Sequence, residues 1–194
     1  TATTKSIQVI SKVALLGTKL KEFTFGGQQI GSGAFAFCSE LTSINFRGSY
    51  LSKLPEKLFY NCVKLTSIQL PLNLIEIGSL SLHGTKVKSI DVPESLSLLQ
   101  VSCLEGCEYI ESINMEATIV ETIPNYSFYK CVRLGKVVLP KSLKKIGSQA
   151  FAFTAIERIY FPRELNEVSS FAFYNCSKLG FANLTLYRSS KLAN

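Results

Sequence analysis

Few residues in this 194-residue chain are equipped for chemistry: six cysteines, one histidine and fourteen carboxylates. Five of the cysteines, Cys38, Cys62, Cys107, Cys131 and Cys176, invite a reading as disulfides, as a zinc site or as nucleophiles. Zinc needs about four Cys or His ligands and a thiol nucleophile needs a base, so each chemistry demands a partner at a set spacing. Cys103 stands four residues before Cys107 with no histidine or further cysteine placed to complete a site, and it reads as a structural thiol. His83, in the string SLHGTK, has no acid or nucleophile at a spacing that assigns it a role, so it reads as an exposed turn residue. The acids are scattered singly, and no phosphate loop, nucleophile elbow or nucleotide fingerprint occurs. The chain therefore reads as noncatalytic, without cofactor or metal.

What the cysteines do share is a position. The string FYNC occurs at Phe59–Cys62 and again at Phe173–Cys176, each time followed two residues later by Lys-Leu. Behind it lies a pattern of an apolar residue, then Phe or Leu five on, then Cys or Thr three further on. It recurs eight times, from Ile10-Leu15-Thr18 and Ile30-Phe35-Cys38 to Ile146-Phe151-Thr154 and Val168-Phe173-Cys176. A second pattern, aliphatic-x-x-apolar-x-apolar, follows each copy, as in Leu65-Ile68-Leu70, and ends with Leu179-Ala182-Leu184. Its starts recur every 21 to 24 residues. Where the column holds Cys, the next aliphatic residue comes three positions later; at Thr18, Thr85 and Thr154 it comes two later, which suggests a larger unit of three repeats.

Each repeat needs a strand and a return. Apolar residues two apart suit a strand with one buried face, and Pro71, Pro93, Pro140 and Pro162 directly after it end the ladder by removing an amide donor. The Ile-Gly-Ser triplets at 30, 77 and 146 predict a tight bend, and the Phe/Leu to Cys/Thr spacing of three predicts a short helical turn. One repeat cannot bury its own apolar face, so the copies must stack as a solenoid. The cysteine column then holds small packing side chains that donate weakly to a carbonyl. Bridges along it are disfavoured, because rungs lie about 4.8 Å apart with parallel side chains while a disulfide wants β-carbons about 3.5 to 4.5 Å apart and facing.

The repeats LTSIQLPLNLIEIGSLSLHGTKV and LGKVVLPKSLKKIGSQAFAFTAI resemble the leucine-rich repeats of the BspA-like family, over residues 10 to 184. The resemblance implies an α/β leucine-rich repeat solenoid, with a parallel strand ladder on one face and short helical turns and loops on the other. Residues 1–194 then form one array of about eight rungs. The array reads as a segment of a longer protein, with improvised caps at Thr1–Val9 and Leu186–Asn194 as the other possibility. The resemblance also implies recognition or adhesion at a microbial cell surface or in a secreted protein, with a host extracellular-matrix or cell-surface protein as partner.

The ligand-binding positions of such an array are the outward residues of the strands, here Asn45, Gln69, Asp91, Asn114, Lys136, Val138, Arg158 and Tyr160. The set turns basic and aromatic at its C-terminal end, where Arg and Tyr favour an interface. Residues 130–194 hold eleven Lys or Arg against three acids, whereas residues 1–129 hold ten against eleven. That basic third suits an acidic protein or an acidic glycan, and no nucleic acid is expected as a partner. No apolar run approaches the length of a transmembrane helix. The alternative is an intracellular protein-interaction scaffold using the same face, which free thiols suit. Asn125-Tyr126-Ser127, Asn175-Cys176-Ser177 and Asn183-Leu184-Thr185 match the glycosylation acceptor pattern, which matters only in a secretory setting.

Overall fold

The computed structural model describes Thr3–Thr4 and residues 7–183. Leu184 of the last strand pattern, Thr185 of the third acceptor pattern and most of the two possible caps lie outside the described residues. The chain coils as a stack of eight rungs whose strands, where they pair, pair in parallel with the counterpart strand of a neighbouring rung. Ser43–Asn45 lies in register with Ser67–Gln69, so that Ile44 faces Ile68, and Ser112–Asn114 lies in register with Lys136–Val138. The alternation follows from side chains pointing to opposite faces of a strand: Ile44, Ile68, Ile113 and Ile159 are buried, and their neighbours face out. A second ladder of two-residue strands runs beside the first, joining for example Lys53–Leu54, Glu76–Ile77 and Leu98–Leu99.

The strand face is not one continuous sheet. Glu22–Phe25, Ser43–Asn45 and Ser67–Gln69 share a sheet, Ser112–Asn114 pairs with Lys136–Val138, and Arg158–Tyr160 pairs with Phe181–Asn183. The rung between the first two groups joins the second through a single bridge, Ser89 to Ser112. Both interruptions adjoin a shortened loop, after Thr85 and after Thr154. The shortened loop after Thr18 has no such interruption, since Thr3–Thr4 pairs with Thr24–Phe25.

No helix forms among the described residues, and the expected short helical turns are corrected to chains of tight turns. In every rung two residues four apart take a left-handed conformation: Val13 and Gly17, Lys57 and Asn61, Tyr126 and Lys130, and so on through Phe171 and Asn175. Alternate amides explain it. Ala14, Leu16 and Thr18 donate to carbonyls three residues back, while Val13, Leu15 and Gly17 donate across to Ser32, Ala34 and Ala36 of the next rung. An α-helix would spend every amide within its own segment and leave none to join the rungs. The three-residue spacing still places Phe and Cys on one inward face, which is why it resembled a helix.

Cross-rung bonds of this turn face all run forward along the array, as in Phe59 to Ser81 and Phe128 to Ala150. On the loops at the strand edges they run backward, as in Thr42 to Lys21, Gly78 to Leu54 and Lys144 to Glu121. The glycine of each Ile-Gly-Ser triplet answers to a neighbour more than to its own bend. A β-carbon at Gly78 or Gly147 would stand 2.6 Å from the backbone of the preceding rung.

The core is a single apolar column through the stack. Phe35 stacks on Phe59 at 5.6 Å, and Phe128, Phe151 and Phe173 stack in turn at 5.1 and 5.3 Å. Leu82 and Leu104 occupy the same position in the two intervening rungs and are buried. In the last rung Phe181 and Ala182 are exposed, because no described residue covers them.

Candidate functional site

The strand face presents all eight expected residues, and the structure divides them by role. Asn45 and Asn114 turn back on their own strands: each side-chain oxygen accepts an amide two residues on, from Arg47 and Glu116, at 3.0 Å. These two rungs lack proline after the strand, so there an amide exists that proline would have removed. They also carry one extra residue, Cys38 to Cys62 and Cys107 to Cys131 spanning 24 against 23 for Cys62 to Thr85. Asn45 and Asn114 are therefore occupied in holding a turn.

Gln69 and Asp91 line a hollow of about 230 Å³ with Arg47, floored by Leu70, Pro71 and Val92. Asn45 and Gln69 also border a polar hollow of about 230 Å³ with Glu22, Thr24 and Ser43. At the C-terminal end Val138 and Tyr160 line a third hollow of about 250 Å³ with Leu139, Phe161 and Pro162, and the exposed ion pair Lys141–Glu116, 3.3 Å long, stands at its rim. Tyr160 is 59% exposed, and its ring lies 5.8 Å from that of Phe181. Lys136 and Arg158 start adjacent strands of this end and are exposed. Neither has a carboxylate within ion-pair distance among the described residues. The face thus offers cations and a ring beside an apolar hollow.

The cysteine column behaves as its exchange with threonine implies. Each Cys Sγ–H donates to the carbonyl of the Phe or Leu column in the preceding rung: Cys62 to Phe35 at 2.9 Å, Cys107 to Leu82 at 3.0 Å, Cys131 to Leu104 at 3.2 Å. Thr85 and Thr154 instead donate to the carbonyl of their own rung, Leu82 and Phe151, at 2.9 Å. All six thiols are free. Burial pushes Cys103 and Cys107 up to about 12 and Cys131 well above its ordinary value. Cys62 is pushed up by neighbouring Cys38 and then by burial. Within the column, burial thus keeps Cys107 and Cys131 protonated, whereas the hydrogen bond with Cys62 lowers Cys38.

His83 differs from expectation. It is half-buried, and its ring stacks on Tyr60 at 4.8 Å and 11°. Its Nδ1 is buried with no hydrogen-bond partner among the described residues. The stacking belongs to an aromatic surface on the turn face that strand-based reasoning passed over. Phe37 meets Tyr60, and further along Tyr129, Phe153 and Tyr174 form successive edge-on contacts at 5.5 Å. The available signal was an aromatic residue one or two positions after the Phe column in several rungs, at Phe37, Tyr60, Tyr129, Phe153 and Tyr174.

The BspA-type leucine-rich repeat region is matched by residues 2–52 and 52–180, in six copies. Among solved structures, the chain resembles a leucine-rich repeat protein from Bacteroides ovatus, with 25% identity and a TM-score of 0.64 over 93% of this chain and 59% of that one. It also resembles the T. pallidum leucine-rich repeat protein, with 21% identity and a TM-score of 0.68 over 78% of this chain and 72% of that one. The chain therefore spans about three fifths of the length of the first relative and under three quarters of the second. No protein of curated function matches the sequence.

Proposed function

Because this chain belongs to the BspA-type leucine-rich repeat family, we propose that it is a noncatalytic recognition module that binds a protein through the C-terminal end of its strand face. The observation that carries this reading is the grouping there of Lys136 and Arg158, which have no carboxylate within ion-pair distance among the described residues, with exposed Tyr160 and the apolar hollow under Val138. Rings and cations of this kind supply the few residues that dominate an interface. The family's association with microbial surfaces supports a cell-surface or secreted setting and a host extracellular-matrix or cell-surface protein as partner. A second reading, an intracellular scaffold using the same face, is favoured by the six free thiols, since structural disulfides mark oxidising compartments.

The test is binding of the whole chain to a panel of immobilised extracellular-matrix proteins, compared with a variant carrying Lys136→Ala, Arg158→Ala and Tyr160→Ala. Loss of about two kcal/mol or more of binding energy for a matrix protein supports the site. Unchanged affinity rejects the site, and absence of binding to every matrix protein in a folded sample favours the intracellular reading.

A further inference from the structure

The solenoid sorts charge by column rather than by stretch of chain. Residues 1–129 hold slightly more acids than bases, yet the loop flank between the Cys/Thr column and the strand is basic there. Its first four rungs carry Lys19, Lys21, Lys64, Lys86 and Lys88, all exposed, against Glu40 alone. Both Glu40 oxygens accept from Lys64 Nζ at 2.9 Å. Lys64 holds the Glu40 carboxyl below its usual range, with Lys21 and Lys19 adding to the effect, so three lysines crowd one carboxylate.

The next two rungs extend the stripe. Tyr109 of the fifth rung receives Lys86 Nζ from the fourth at 5.1 Å and the Arg133 guanidinium from the sixth at 4.5 Å. Two cations, reaching in from the rungs on either side, thus engage one ring. Cation–π contact holds both side chains upright while leaving their donors free. Among the described residues, Lys19, Lys21, Lys86, Lys88 and Arg133 have no carboxylate within ion-pair distance. Glu108 and Glu111, the other acids of this flank in these rungs, both belong to the fifth.

We propose that this loop flank is a second binding site, separate from the strand face, for a linear sulfated glycan lying along the solenoid axis across Lys19, Lys21, Lys64, Lys86 and Arg133. Rungs about 4.8 Å apart present cations at intervals along a line, which complements a ligand with repeated anionic groups. Guanidinium and ammonium groups both bind such oxyanions, the former in a bidentate fork. The stripe does not suit a single-stranded nucleic acid, whose bases need a free aromatic ring to stack on: the Tyr109 ring is already engaged by Lys86 and Arg133.

The test uses a heparin-derived octasaccharide titrated against the whole chain by calorimetry at low and at physiological salt. The expected result is binding that weakens with salt and falls about tenfold when Lys64→Ser, Lys86→Ser and Arg133→Ser are combined. The strand-face variant Lys136→Ala, Arg158→Ala and Tyr160→Ala should bind the octasaccharide with at most about twofold change. Loss through the strand-face variant alone overturns the location, and so does an unaltered loop-flank variant. Equal affinity for a single-stranded oligonucleotide of matched charge overturns the choice of glycan. Arg133→Lys, which keeps the charge, should recover most of the affinity and confirms that the loss is not one of folding.

Discussion

Asn45 accepts the amide of Arg47 at 3.0 Å and thereby does for its rung what proline does elsewhere. Where Pro71 or Pro140 follows the strand no amide exists; where Arg47 or Glu116 follows, an asparagine supplies the acceptor. Arg47 is also the second residue of a turn closed by Ser49 N to Phe46 O at 2.9 Å, a position that favours proline.

Asn45→Ala should cost about 1 kcal/mol, the net worth of one hydrogen bond. Adding Arg47→Pro to that variant should recover most of the loss, because it removes the orphaned donor. Urea unfolding of both single variants and the double one measures the coupling, and simple additivity would refute this account of the asparagine.

The left-handed positions make opposite demands on neighbouring rungs. Lys57 sits at φ 55°, so Lys57→Gly should stabilise the protein by about 1 kcal/mol. Gly84, at φ 70°, would place a β-carbon 2.6 Å from Asn61 Oδ1, so Gly84→Ala should destabilise it. Equal midpoints for the two variants would contradict the turn geometry.

Raised thiols impose a pH limit. In the unfolded chain these groups ionise near 9.0, but in the folded one Cys103 and Cys107 hold their protons to about 12. The folded state therefore binds more protons across that window, and stability is fully present below pH 9 and is lost as pH rises towards 12. Unfolding midpoints measured at pH 7.5 and pH 10.5 should fall, and Cys103→Ala should fall less steeply with pH than the parent. A steeper fall in the variant would exclude Cys103 as a source.

The phenylalanine stack should be most sensitive at its centre. Phe151, fully buried between Phe128 and Phe173, should lose about 3 to 5 kcal/mol on replacement by Ala. Phe173 is only half-buried and should lose less. Thermal unfolding of the two variants ranks them, and a reversed order would count against stacking as the main support of these rungs.

Much of the fold was legible because each repeat reports the same constraint several times. The strand register follows from Ile44, Ile68 and Ile113, and the thiol column from the exchange of Cys62 for Thr85. The turns were misread because the spacing of Phe59 and Cys62 fixes which side chains point inward, not which amides bond to which carbonyls. The site was legible only as a face. That Asn114 is spent on Glu116, while Gln69 and Asp91 share a hollow with Arg47, depends on backbone turns that periodicity does not encode. The pairing of Lys86 and Arg133 on Tyr109 joins residues 47 apart in sequence, so no local charge count reveals it.

The opposed directions of the cross-rung bonds have an electrostatic consequence for length. In an α-helix every peptide dipole points the same way, and partial charge accumulates at the two ends. Here the amides from Phe59 and Phe128 point one way along the axis, and those from Gly78 and Lys144 point the other. Their moments offset, so an added rung contributes core and cross-rung bonding without charging the ends of the stack. Array length is then free of the end charge that a macrodipole would impose.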